Sequence, residues 1–105
     1  MDTFKINIRK IHRANATDKG NDLYHIYTNW REFLMTVYPS DISDDLWYFD
    51  IPENEERTND LFVTCEQFPV DYLLKLCKAV ITIRHGVVDF DVSLTVEAKK
   101  TLGIK

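Results

Sequence analysis

Between Thr3 and Arg9 the chain reads TFKINIR, with Phe4, Ile6 and Ile8 alternating with Lys5, Asn7 and Arg9. A period of two puts the apolar side chains on one face of a strand and the polar ones on the other. A strand with one dry and one wet face needs neighbours alongside and a cover on one side. This feature commits the fold to a sheet and excludes an all-helical bundle. The pattern slips near Lys10, so Ile11 marks a bulge or the strand end. The alternation returns in LWYFDI, where Trp47, Phe49 and Ile51 share one face and Leu46, Tyr48 and Asp50 the other. Pro52 closes that segment. LFVTCEQF, from Leu61 to Phe68, is rich in strand formers and is expected to pair with it antiparallel across the charged loop ENEERTND.

Elsewhere the period changes. Leu23, Ile26, Tyr27, Trp30, Phe33, Leu34, Val37 and Tyr38 recur at three- and four-residue steps, which predicts a helix over 22–38. A rival reading makes DLYHIYT a strand and starts the helix at Thr28 or Asn29, on the strength of its β-branched and aromatic content. Pro69 suits the first position of a second helix, with Asp71 in its first turn and Val70, Leu73, Leu74, Cys77, Val80 and Ile81 as its apolar stripe. AVITIRHG reads either as the end of that helix, with Gly86 as terminator, or as a strand. Val87–Val92 is expected to be a strand, with Val88, Phe90 and Val92 on one face. Thr95 caps a short last helix that Gly103 stops. The expected fold is α+β: a two-layer sandwich with a mixed or antiparallel sheet of about four strands, two main helices and a short C-terminal helix.

A chain of 105 residues supports one domain, here 1–105, with a core of its own. No apolar run approaches the ~18 residues needed to cross a bilayer. The first residues lack the continuous apolar stretch of a signal peptide, and the two cysteines, Cys65 and Cys77, lie in segments that look like core. A reducing, cytoplasmic setting is expected. No signature joins a cysteine to His12, His25 or His85 as nucleophile and base. The acidic run DISDD lacks the glycine and distal glutamate of a calcium loop, and there is no CxxC or HxxxH spacing. Three scattered glycines build no phosphate-cradling loop. The expectation is therefore no catalysis, no metal and no cofactor. Lys5, Arg9 and Arg13 form a small basic strip near the start, but a pI of about 5.3 argues against direct nucleic-acid binding.

Charge distribution carries more information than net charge. Residues 41–60 hold eight carboxylates against the single base Arg57, a net of −7; the whole chain is −4, so the remainder is +3. Three consecutive aromatics, Trp47, Tyr48 and Phe49, sit inside that acidic run. With Trp47 and Phe49 anchored below, Tyr48 and Asp50 point outward, flanked by Asp44, Asp45, Glu53, Glu55 and Glu56. A tyrosine ringed by carboxylates suits a protein interface that steers in a basic partner. In size and charge the chain is similar to nuclease-toxin immunity proteins and, less closely, to anti-restriction proteins that mimic DNA. The functional expectation is an acidic immunity or antitoxin-like inhibitor that occludes a basic toxin, a nuclease by preference. The alternative is a self-associating structural or accessory subunit of phage or mobile-element type, joined through Tyr24, Tyr27 and Tyr38.

Overall fold

The computed structural model describes residues 2–12, 22–39, 46–52, 58–64 and 68–103, with side chains at 3–11, 23–39, 46–52 and 68–103. Within them are six strands and two helices: β1 (Asp2–His12), β2 (Asp22–Thr28), β3 (Phe33–Pro39), β4 (Leu46–Pro52), β5 (Thr58–Thr64), α1 (Val70–His85), β6 (Phe90–Leu94) and α2 (Val96–Leu102). The strands form one mixed sheet in the order β5-β4-β3-β2-β1-β6. The first five make an antiparallel meander, and β6 returns parallel to β1. A parallel return cannot be made by a tight turn. Helix α1 supplies the crossover, from the β5 edge of the sheet to the β6 edge.

Register sets the core. Ile8 faces Ile26, and Ile26 faces Met35; a second row runs from Tyr24 through Val37 to Phe49. Cross-strand neighbours share a face, so these rows build one apolar surface. Leu73, Cys77, Val80 and Ile81 of α1 press onto it, all buried. Tyr72 meets Phe49 edge-on at 5.4 Å, and the Lys78 ammonium lies 5.4 Å from the Phe90 ring centre. Phe68, just before the helix, packs edge-on against Tyr24 and Trp47 at 5.3 and 5.0 Å.

The expected helix over 22–38 is replaced by the β2–β3 hairpin, which also removes the helix start at Thr28 or Asn29. The strand reading of DLYHIYT holds. Tyr24, Ile26 and Thr28 face the core while Leu23, His25 and Tyr27 face away. Both faces are apolar or aromatic, and two apolar faces imitate a helical stripe in sequence. A bulge completes the disguise. Ile26 faces Met35 but Tyr27 faces Phe33, which leaves Leu34 as the extra residue. Leu34 and Met35 are consecutive and both fully buried. Among the described residues the sheet thus has six strands instead of about four, and there is one main helix instead of two.

Pro69, expected as the first residue of α1, stands just before it as the N-cap, and the helix proper begins at Val70. The stop signals and the cap of α2 act as expected. Gly86 ends α1 with φ 68°, its amide donating to the Thr82 carbonyl at 2.9 Å. This settles AVITIRHG as helix. Thr95 Oγ1 accepts the Ala98 amide at 3.0 Å to cap α2, and Gly103 closes it with φ 74°. Two strand boundaries move. β5 begins three residues before Leu61 and ends at Thr64. β6 starts at Phe90, and Val88 stands 82% exposed outside it. Residues 86–89 are consumed in linking the helix end to a strand whose position is dictated by pairing with β1.

Candidate functional site

Helix α1 packs on the core face, and α2 packs beside β1. The opposite face of the sheet is uncovered among the described residues. It presents Lys5, Asn7 and Arg9 from β1, His25 and Tyr27 from β2, Phe33, Thr36 and Tyr38 from β3, and Tyr48 and Asp50 from β4. The expected orientation of β4 is observed. Phe49 is fully buried, Trp47 and Ile51 pack against the core, and Tyr48 and Asp50 take the open face. Tyr48 lies against Tyr38 with ring centres 5.2 Å apart and planes tilted 51°. Asp50 stands between Thr36 on one side and the register position of Asp60 on the other.

Of the other expected site residues, Asp44, Asp45, Glu53, Glu55 and Glu56 lie outside the described residues. Strand β4 spans seven residues, about 20 Å end to end. The carboxylates preceding it and those following it are therefore joined to opposite ends of one strand. Tyr24, expected on an exposed face with Tyr27 and Tyr38, is instead on the core face beside Trp47, 6.2 Å between ring centres. Only Tyr27 and Tyr38 of that trio share the open side.

At the centre of the open face His25, Tyr27 and Phe33 form a closed set of edge contacts. Their ring centres are 6.3 Å (His25–Tyr27), 5.5 Å (His25–Phe33) and 5.8 Å (Tyr27–Phe33) apart. Phe33 is still 37% exposed. Partial burial, and secondarily the positive charge of Arg9 across the strand pair, hold the His25 pKa below its ordinary value. Both effects disfavour the imidazolium.

Where β1 meets α2, the open face deepens into a concavity of about 830 Å³. Arg9, Lys10, Arg31, Asn7, Asn29 and Tyr27 line it, with Thr95, Glu97 and Thr101 from the α2 side. Asn7 Oδ1 accepts from the Ile8 amide and from Thr95 Oγ1, both at 3.0 Å, which ties the sheet to the start of α2. Sequence reasoning placed Lys5 and Arg9 on one strip but missed Arg31, because nothing local says that a turn 22 residues later closes over β1.

Two chemical possibilities are narrowed by the geometry. Cys77 is buried and its thiol pKa is pushed up to about 12 by desolvation, so it carries no nucleophilic thiolate near neutrality. Among the described residues no three His, Cys, Asp or Glu side chains converge as metal ligands would. No helix of the described residues is long and apolar enough to cross a membrane. Comparison with protein-family models, with curated proteins and with solved structures finds no match to this chain.

Proposed function

We propose that this chain is a non-catalytic binding protein of immunity or antitoxin type, acting in the cytoplasm. It engages a basic protein through the β4–β5 side of its open sheet face and occludes that partner's own substrate surface. The observation that carries the reading is the juxtaposition of the Tyr38–Tyr48 pair with Asp50 and the opposing Asp60 position. A rigid aromatic pair offers contact area at little entropic cost, and an acidic strand beside it favours a partner rich in Lys and Arg. Asp44, Asp45, Glu53, Glu55 and Glu56 add negative potential on either flank of β4 in the chain, and this steers encounter.

The test starts from a partner captured with the tagged protein from its native host. Tyr48→Ala and Asp50→Lys are each expected to weaken the complex about tenfold or more. Reversing Asp44, Asp45, Glu53, Glu55 and Glu56 to lysine is expected to slow association and flatten its salt dependence. An acidic partner, or rates indifferent to these changes, sinks the reading. Self-association is the second reading, favoured by the half-exposed row of Tyr27, Phe33 and Tyr38. Sedimentation at micromolar concentration separates the two: a stable homo-oligomer that Phe33→Asp dissolves supports self-association.

A further inference from the structure

The concavity between β1 and α2 has a chemistry opposite to that of the chain as a whole. Among the described residues, the guanidiniums of Arg9 and Arg31 line it with Glu97 as the one acid, in a protein of net charge −4. Its volume, about 830 Å³, falls in the range of small-molecule sites. Among the described residues no carboxylate lies within ion-pair distance of the Arg9 or Arg31 guanidinium, whereas Arg84 is paired with Glu32 at 3.2 Å. Two exposed guanidiniums at one hollow suit a ligand that carries phosphate, whose oxygens take parallel N–H bonds from a planar fork.

The backbone adds an independent observation. Arg31 has φ 64°, the one non-glycine residue at positive φ among the described residues. It occupies the last position of a three-residue hairpin loop, where glycine is the unstrained choice. An arginine held there against its own backbone preference, beside a hollow it lines, points to work done by its side chain. The wall next to it is Tyr27, whose ring is fixed by edge contacts with His25 and Phe33. A partly exposed tyrosine ring on the wall of such a hollow is a stacking surface suited to a planar base. Asn7 Oδ1 is already bonded twice, so the amide is oriented and its Nδ2–H group is the part left to donate.

We propose that this concavity binds a phosphate-bearing nucleotide, with Arg9 and Arg31 on the phosphates and Tyr27 against the base. The site is separate from the β4–β5 side of the face and does not depend on a protein partner.

Titration calorimetry of the full chain at low ionic strength tests it, with adenosine diphosphate and inorganic pyrophosphate as separate probes. Both are expected to bind at one site, the nucleotide more tightly. Arg9→Gln and Arg31→Gly are each expected to weaken both probes about tenfold. Tyr27→Leu is expected to weaken the nucleotide and leave pyrophosphate unchanged. Glycine accepts the φ of residue 31 without strain, so loss of binding in Arg31→Gly cannot be ascribed to a broken turn. The proposal is overturned by no saturable binding of either probe, or by affinities unchanged in both arginine variants. It is overturned equally if a short single-stranded oligonucleotide binds while adenosine diphosphate does not.

Discussion

At residue 31 the backbone sits at φ 64° on an arginine, a conformation that costs an L-residue about 1 kcal/mol relative to glycine. The turn that imposes it is well bonded. The Arg31 amide donates to the Thr28 carbonyl at 3.0 Å, and the Thr28 amide to the Glu32 carbonyl at 2.9 Å. Arg31→Gly should therefore raise stability by roughly 0.5–1 kcal/mol, part of the relief being offset by the greater freedom of glycine in the unfolded chain. Urea denaturation measures this, and a destabilised variant would show that the arginine side chain supports the fold. Single residues were most legible in sequence where their effect is confined to one turn of chain. Thr95 and Gly103 bound α2, and Gly86 ends α1, because a cap bonds the backbone within four residues of itself. Arg31 was not legible, because glycine, not arginine, is the sequence signal for its conformation.

The β2–β3 hairpin shows why an element can be misread when each of its residues is unremarkable. Its loop, Asn29-Trp30-Arg31, has neither glycine nor proline, so no punctuation separates the strands. What closes it is Thr28, buried to 2% exposure, whose Oγ1 accepts the Trp30 amide at 3.3 Å and the Glu32 amide at 3.2 Å. The hydroxyl replaces a turn glycine by bonding the loop directly. Thr28→Val keeps the shape and removes those acceptors. It should cost about 1–2 kcal/mol, read as a lowered denaturation midpoint with an unchanged slope. An unaltered midpoint would show that the main-chain bonds alone hold the turn. Strand β4 was legible, by contrast, because its two faces differ: Trp47 packs inward against Phe68 and Phe49 against Tyr72, with Ile51 on the same core side, and Asp50 marks the other face as polar.

Across the whole molecule, one side-chain cluster ties three separate elements together. The Glu32 carboxylate, in the hairpin, accepts from His85 Nε2 at 2.7 Å and from Arg84 Nη1 at 3.2 Å, at the end of α1. Arg84 Nη1 also donates to the Phe33 carbonyl at 2.7 Å, and Nη2 to the Pro52 carbonyl at 3.4 Å, which brings in the end of β4. Burial pushes the Glu32 carboxyl up, but the hydrogen bonds from His85 and Arg84 and their positive charges outweigh it, so its pKa lies below its ordinary value. A depressed carboxyl stabilises the fold in full above its unfolded pKa, and that contribution is lost as pH falls through the folded value. Glu32→Gln should therefore lose stability at neutral pH, by no more than about 1 kcal/mol at so exposed a site. The deficit should shrink toward pH 3, which denaturation at several pH values would reveal; a deficit constant with pH would deny the ion cluster its role. What the sequence by itself determined were the alternating faces at 4–8 and 47–51, the amphipathic stripe of α1, the cap of α2 and the glycine stops of both helices. These depend on interactions within a few residues. Tertiary structure alone decided that 22–38 is two strands, that Tyr24 is core while Tyr27 is surface, and that Arg9 and Arg31 line one hollow. Those outcomes depend on strand register and on which face α1 covers, and both are set by burying the most apolar area across segments distant in the chain.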